Sequence, residues 1–124
     1  EHYWDVSDVV EAATGGDREC RVLHAGCGTS LLAEHMYDAG YRHIVNFDIS
    51  PAAIEVMAAR NLGRPWMRWL VMDATRMDLA DGCFDLVLDK TLLDTLACAD
   101  AFEQLSAAYL REAVRVLRPG GAFL

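Results

Sequence analysis

Three carboxylates and one glycine turn are the residues of this chain whose types and spacing best suit chemistry. Gly26-Cys27-Gly28 follows the short apolar run 21–25, and Asp48, Asp73 and Asp89 each follow a later apolar run. Glycines let the backbone approach a ligand closely, and a helix that begins after such a turn offers free N–H groups. Because burying a charge is costly, three acids at the ends of successive apolar runs favour a shared binding site over simple packing.

The spacing between the turn and the first acid indicates a nucleotide-like ligand. Asp48 lies 22 residues after Gly26, a separation that lets an acid accept hydrogen bonds from ribose hydroxyls. Leu31 occupies the position of the third glycine in the dinucleotide fingerprint, so the turn favours a smaller adenosyl cofactor over NAD. We expect Ile49 to pack on an adenine face and Asp73 to accept from the adenine amino group. Helix capping by Asp48 and an ordinary turn role for Asp73 stay open as alternatives.

An alternating series of strands and helices must position these residues, and the sequence pattern contains one. Short apolar runs are typical of buried parallel strands, and apolar residues three and four apart are typical of helices. The pattern predicts an α/β fold with a Rossmann-like, doubly wound, mainly parallel sheet and helices on both faces. Ligands bind such a sheet beside the carboxyl ends of its strands. The predicted strands are 21–25, 43–48, 67–72, 84–88 and one from 122; the predicted helices are 9–13, one capped by Thr29 or Ser30 and stopped by Gly40, one from Ser50-Pro51 to about Asn61, and 101–117.

Composition limits the class of protein. The 124 residues suit a single domain spanning 1–124, and 53% hydrophobic with 24% charged residues exclude a disordered chain. No run approaches the roughly 18–20 apolar residues that span a membrane, so no membrane partner is expected. A net charge of −8 argues against a general nucleic-acid binder, which needs a basic face, and is compatible with a basic protein partner.

Neither the cysteines nor the histidines predict a metal site. The four cysteines are scattered without a C-x-x-C pair, which indicates reduced thiols in a cytoplasmic protein. The four histidines also lack ligand spacing, and His24, inside the first predicted strand, is expected to be a packed or hydrogen-bonded core residue. The chain begins at Glu1 and ends in what looks like the start of a strand, so we expect a domain truncated at its C-terminus, without its last strands.

Four segments resemble, in order and spacing, the successive motifs of class I S-adenosylmethionine-dependent methyltransferases. These segments are 23–30, 46–50, 72–74 and 84–89, and the resemblance covers residues 20–124. A narrower set of matches is similar to the branch that contains the translation elongation factor lysine methyltransferases. This set includes Tyr3-Trp4-Asp5, 36–41, 45–50, Arg64-Pro65 and Leu88-Asp89-Lys90.

The resemblance implies S-adenosyl-L-methionine as cofactor, S-adenosyl-L-homocysteine as product and a protein lysine as methyl acceptor. By this resemblance Gly26-Cys27-Gly28 would flank the methionine end of the cofactor. Asp48 would hold the ribose, and Asp73 with Ala74 would meet the adenine. Asp89 would lie near the methionine end and the transferred methyl group.

A lysine nucleophile must lose a proton before it is methylated, so nearby carboxylates can orient the amine and accept that proton. The candidates are Asp89 and Asp94, with Tyr3-Trp4 as candidate walls of the acceptor pocket and helix capping as the alternative for Asp94. Two positions depart from the resemblance: His24 replaces an acid that many class I enzymes carry, and Thr91 replaces a glycine of the branch. A small-molecule methyltransferase and a non-catalytic S-adenosylmethionine-binding domain are the alternative functions.

Overall fold

Strands and helices alternate along the part of the chain that the structure describes. The computed structural model describes residues 3–89, 92–96 and 102–124. The helices are α1 (Tyr3–Thr14), α2 (Leu32–Asp38), α3 (Pro51–Arg60), α4 (Leu92–Leu96) and α5 (Phe102–Val116). The strands are β1 (Arg21–Ala25), β2 (His43–Asp48), β3 (Arg68–Val71), β4 (Phe84–Asp89) and β5 (Leu117–Phe123). None of these described helices has the length and apolar character that a bilayer-spanning helix needs.

The five strands form one parallel sheet in the order β3-β2-β1-β4-β5. The central strands β1 and β4 are almost wholly buried, in keeping with their apolar sequences. The strand order reverses between β1 and β4, and in a sheet of this type the crevice beyond the carboxyl ends at that point is where ligands bind. The predicted α/β class with a doubly wound parallel sheet is confirmed.

The two faces of the sheet carry separate hydrophobic cores, because successive side chains of a strand point to opposite faces. Val22 of β1 packs in one core with residues of α1 and α2. Its neighbour Leu23 packs in the other core with Tyr109 of α5. Helix α3 is tied to α2 because Glu34 accepts a hydrogen bond from Arg60 at 2.7 Å. Helices therefore cover both faces.

Local capping residues set the starts of α2 and α3, and the start of α2 lies later than predicted. Ser50 caps α3 as predicted: its hydroxyl accepts from the Ala53 N–H at 3.2 Å, and Pro51 occupies the first turn. Helix α2 begins later than expected, at Leu32, although the Ser30 hydroxyl accepts from the Leu32 N–H at 3.1 Å. The connection from β1 to α2 is correspondingly longer.

Helix α1 begins at Tyr3, earlier than the predicted 9–13, and β5 and α4 differ further from the sequence prediction. β5 starts at Leu117, directly after α5, and not at Ala122. Phe84 pairs with Leu117 and Leu86 pairs with Ala122, so residues 118–121, which contain Pro-Gly-Gly, bulge out of the ladder. The sequence pattern also does not predict α4, because five residues are too few to show a helical periodicity.

Arg115, near the end of α5, joins this helix to the loop that follows β3. Its guanidinium donates to the carbonyl oxygens of Leu79 at 2.7 Å and Met77 at 2.9 Å. It also pairs with Glu112 at 2.6 Å and with Asp81 at 2.7 Å. Because Arg115→Ala removes the donor from both carbonyls, we expect the free energy of unfolding, measured by urea titration, to fall by roughly 2–3 kcal/mol.

Arg111→Ala is the matched control, since Arg111 is an exposed arginine one turn earlier on the same helix. We expect this control to change the free energy of unfolding by less than about 0.5 kcal/mol. Arg115→Lys keeps the charge but loses the planar arrangement of donors, so we expect it to be destabilised nearly as much as Arg115→Ala. Wild-type stability in Arg115→Ala would contradict the assigned role.

Asp85 of β4 binds two arginines at the amino-terminal edge of the sheet. One of its oxygens accepts from the backbone N–H of Arg21 at 2.7 Å, and the other accepts from the Arg118 guanidinium at 2.6 Å. Hydrogen bonds from the Arg21 side chain and backbone and from Arg118 lower the pKa of Asp85 to about 2. Because this folded-state pKa lies below the unfolded value of about 3.9, the carboxylate stabilises the fold above about pH 4 and loses that effect as the pH falls towards 2.

Asp85→Asn tests this acid dependence. We expect the variant to be less stable than the wild type by roughly 1–2 kcal/mol at pH 6, and the difference to shrink between about pH 4 and pH 2. Urea titrations at a series of pH values measure both free energies. Asp8→Asn, at an exposed position of α1, is the control and should show no such narrowing. A stability difference that does not change with pH would refute the assignment.

Candidate functional site

An open cleft lies at the carboxyl edge of the sheet, beside the glycine turn. Its volume is about 180 Å³, and its walls are mostly apolar. The turn after β1, the end of β2, the segment after β3 and the start of α4 all contribute to it. The described residues that line it are Gly26, Gly28, Phe47, Asp48, Ile49, Met72, Ala74 and Leu92.

The glycine turn forms the floor of the cleft, with two residues in the left-handed backbone region. Gly26 has φ +62° and Gly28 has φ +50°, conformations that side-chain-bearing residues rarely adopt. A Cβ on Gly26 would lie 2.9 Å from the Cβ of Leu92, so α4 packs directly on this glycine. A Cβ on Gly28 would meet nothing within 4 Å, so the space beside Gly28 is open to a ligand.

Cys27 contributes its backbone to the turn, not its thiol. Its N–H donates to the Phe47 carbonyl oxygen at 2.9 Å, which fixes the turn to the end of β2. The side chain is buried, and this burial, with the nearby charge of Asp48, raises the pKa of the Cys27 thiol to about 12. The thiol therefore stays protonated and unreactive near neutral pH.

Asp48, the last residue of β2, is oriented by two backbone donors. The Gly28 N–H donates to its Oδ2 at 2.9 Å, and the Ser50 N–H donates to its Oδ1 at 2.9 Å. The carboxylate thus ties the glycine turn to the start of α3. Each oxygen of an ionised carboxylate retains a further acceptor site, so the oriented group can still accept from two ligand hydroxyls.

An apolar surface stands next to this carboxylate. Phe47, Met72 and Ala74 are buried beneath the cleft, whereas the Ile49 side chain lines it and is 67% exposed. When a flat apolar group covers an exposed branched side chain beside a buried apolar floor, apolar surface is removed from water, which is favourable. The position of Ile49 therefore suits the predicted packing against an adenine ring.

Asp73 lies in the turn after β3, which ends at Val71 and not at 72 as predicted. Its Oδ1 accepts from the Thr75 N–H at 2.9 Å and from the Thr75 hydroxyl at 2.7 Å. These two hydrogen bonds lower the pKa of Asp73. Ala74 lines the cleft, while the Asp73 carboxylate is exposed and held within its own turn. Its adenine contact stays a prediction.

Asp89, the last residue of β4, holds the start of α4. Its Oδ1 accepts from the Leu92 N–H at 2.9 Å, and its Oδ2 accepts from the Tyr109 hydroxyl at 2.8 Å. Asp94 lies within α4, but its side chain falls outside the described residues, as do those of Tyr3 and Trp4. Of the proposed catalytic residues, the structure therefore describes the side chain of Asp89 and only the backbone of Asp94 in α4.

His24 belongs to the interior of the sheet. It pairs with Asn46 across β1 and β2, with 3.0 Å between His24 Nδ1 and Asn46 Oδ1. The Asn46 amide in turn donates to the Arg68 carbonyl oxygen at 3.1 Å. Both side chains are buried, so the prediction of a hydrogen-bonded core histidine is confirmed.

Several residues of the site were not predicted from the sequence. Phe47, Met72 and Leu92 line the cleft, but in the sequence they belong to ordinary apolar runs. Tyr109 follows the apolar spacing of α5, and that spacing predicts burial without naming a partner. Two general rules could have indicated these contacts from the sequence. A buried tyrosine hydroxyl needs a hydrogen-bond partner, and an acid three residues before Leu92 is suited to cap the start of a helix.

The cleft fits an adenosyl group. The open space beside Gly28 admits close backbone approach, the Asp48 carboxylate is oriented to accept hydroxyls, and Ile49 offers an apolar face. Together with the strand order, these features are typical of nucleotide-binding domains of the doubly wound α/β class.

Comparison with known proteins gives the family. The family model described as a methyltransferase domain matches residues 23–124. The chain belongs to this methyltransferase family.

The relatives of the chain include two curated methyltransferases. The eEF1A lysine and N-terminal methyltransferase of Homo sapiens is 44% identical over 107 residues, which are 84% of this chain and 15% of the relative. The EEF1A lysine methyltransferase 4 of Mus musculus is 33% identical over 114 residues, which are 86% of this chain and 45% of the relative. The chain thus spans less than half the length of either relative.

The fold is shared with solved structures at low sequence identity. A SAM-dependent methyltransferase from Methanosarcina mazei superposes with a TM-score of 0.77 at 21% identity, covering 93% of this chain and 54% of that one. At this identity the likeness shows the fold alone.

Proposed function

We propose that the protein to which this chain belongs transfers a methyl group from S-adenosylmethionine to a protein lysine. The observation that carries the proposal is the oriented Asp48 carboxylate beside the open glycine turn. The lysine acceptor is supported by relatives whose names specify eEF1A lysine methylation, at 33% and 44% identity.

The residues of the cleft have distinct proposed roles. Gly26, Cys27 and Gly28 accommodate the methionine end through their backbone. Asp48 accepts from the ribose hydroxyls, and Ile49 with Ala74 contacts the adenine. Asp73, beside Ala74, is the proposed acceptor for the adenine amino group.

The bound cofactor supplies an electrophilic methyl group attached to a sulfonium. The chain contributes the alignment of the acceptor amine and the exclusion of water. Asp89 and Asp94 are the proposed groups that orient the amine and accept its proton. Asp89 already accepts from two protein donors, and its remaining acceptor sites are available for this purpose.

Titration calorimetry with S-adenosylmethionine and with NADH tests the cofactor class. We expect heat of binding with S-adenosylmethionine and none with NADH. Binding of NADH alone would overturn the proposal.

A transfer assay with the full-length protein tests the acceptor. Tritiated S-adenosylmethionine and a cell lysate are combined, and the labelled material is separated by mass and hydrolysed. We expect tritium in methyllysine from protein. Label confined to low-mass products would instead establish a small-molecule methyltransferase, and cofactor binding without any transfer would establish a non-catalytic binding domain.

We also propose a cytoplasmic location. The three cysteines that the structure describes, Cys20, Cys27 and Cys83, are free thiols. Free thiols are typical of a reducing compartment. Fluorescence microscopy of the tagged full-length protein tests the location, and a secreted protein would contradict it.

A further inference from the structure

Tyr109 connects the interior of the fold to the cofactor cleft. It lies on α5, its side chain is fully buried, and its hydroxyl donates to Asp89 Oδ2 at 2.8 Å. Burial and the neighbouring Asp89 carboxylate raise the pKa of Tyr109 above its ordinary value. The hydroxyl is therefore protonated, and able to donate a hydrogen bond, near neutral pH.

The carboxylate that Tyr109 contacts also holds the start of α4. Asp89 Oδ1 accepts from the Leu92 N–H at 2.9 Å. A helix of five residues has almost no stability of its own, so its position depends on such anchors. Because Asp89 uses one oxygen for α5 and the other for α4, movement of the carboxylate would be passed directly to Leu92.

Leu92 is where this connection reaches the cofactor cleft. Its side chain lines the cleft and faces the glycine turn so closely that a Cβ on Gly26 would lie 2.9 Å from the Leu92 Cβ. A shift of α4 by a few tenths of an ångström would therefore change the width of the cleft at its glycine floor.

We propose that Tyr109 is a positioning residue for cofactor binding: its hydroxyl fixes the Asp89 carboxylate, and Asp89 in turn holds α4 with Leu92 against the Gly26 turn. This inference rests on the proposed function. It concerns a buried residue of α5 that does not line the cleft itself.

Tyr109→Phe is a selective test because it removes only the hydroxyl. The ring stays in the core, where it packs near Phe123 with 6.1 Å between ring centroids. In the full-length protein, we expect the Kd for S-adenosylhomocysteine, measured by calorimetry, to rise by about five- to tenfold. Asp89→Asn should weaken binding as well, because its amide no longer accepts equally from both donors.

Tyr41→Phe is the matched control. Tyr41 is also fully buried, but it packs in the opposite core of the sheet, and its hydroxyl accepts from Arg18 Nη1 at 2.6 Å. This variant loses a partly buried hydrogen bond, as Tyr109→Phe does, so a general loss of stability would affect both. We expect its Kd for S-adenosylhomocysteine to stay within about twofold of the wild type.

Hydrogen–deuterium exchange gives a readout that does not depend on the cofactor. In Tyr109→Phe, the amides of 92–96 should exchange faster than in the wild type, and in Tyr41→Phe they should not. Unchanged exchange of 92–96 together with unchanged affinity in Tyr109→Phe would overturn the inference. If the wild type binds no S-adenosylhomocysteine, the proposed function fails, while the exchange comparison still decides whether Tyr109 positions α4.

Discussion

Gly26→Ala is expected to weaken the binding of S-adenosylhomocysteine by at least about 30-fold, one of the two largest effects that the cleft geometry predicts. Two independent costs act at this position. An alanine at φ +62° is strained by about 1–2 kcal/mol. Its Cβ would also lie 2.9 Å from the Leu92 Cβ, and overpacking of this kind costs typically 1–3 kcal/mol. The collision displaces α4, which forms one wall of the cleft.

Gly15→Ala is the control that separates backbone strain from the collision. Gly15 has φ +63°, almost the value at Gly26, and a Cβ there meets nothing within 4 Å. We expect Gly15→Ala to lose about 1–2 kcal/mol of stability in urea titration and to bind S-adenosylhomocysteine with the Kd of the wild type. Gly26→Ala should lose more stability and most of its affinity.

Calorimetry with S-adenosylhomocysteine and urea titration measure both quantities on the same preparations. Wild-type affinity in a folded Gly26→Ala protein would show that the contact between Leu92 and the glycine turn does not shape the binding site. Equal losses of affinity in Gly26→Ala and Gly15→Ala would attribute the effect to general destabilisation.

Asp48→Ala is expected to weaken S-adenosylhomocysteine binding by at least about 100-fold, because two hydrogen bonds to a carboxylate are lost, each of which contributes about 1.5–3 kcal/mol. The substitution also removes the acceptor of the Gly28 N–H, so the open side of the glycine turn loses its anchor. Asp48→Asn keeps the shape of the side chain without its charge and should lie between the wild type and Asp48→Ala.

Ser50→Ala is the control for local structural damage near Asp48. It removes the cap of α3, in which the Ser50 hydroxyl accepts from the Ala53 N–H at 3.2 Å, and it leaves the Asp48 carboxylate in place. We expect a loss of about 1 kcal/mol in stability and a change in Kd of no more than about twofold. If Asp48→Ala binds as Ser50→Ala does, then Asp48 is a capping residue only, and the ribose role is wrong.

The fold class could be predicted from the sequence because each local signal agrees with the overall architecture. Ser50-Pro51 starts α3 by side-chain capping and a pre-set proline φ, and both depend only on residues within one turn. The apolar run 21–25 became β1 without change. The misplaced start of β5 has a different origin, since the bulge at 118–121 exists only in relation to the pairing partners on β4.

The candidate site was predicted in part, for a similar reason. Gly26, Gly28, Asp48, Ile49 and Ala74 line one cleft, because parallel strands place their carboxyl ends at the same edge. Local hydrogen bonds then turn individual side chains in ways that spacing does not indicate. Asp73 illustrates this: its carboxylate is held by Thr75 within the following turn.

By itself, the sequence determined where the backbone must turn, which helices are capped and which residues belong to a core. These properties depend on neighbours along the chain. Only the tertiary structure decided that α4 packs on Gly26, that His24 pairs with Asn46 and that the Tyr109 hydroxyl reaches Asp89. Periodicity shows that a residue such as Tyr109 faces the interior, but its partner is fixed by the strand order and by the packing of α5 on the sheet.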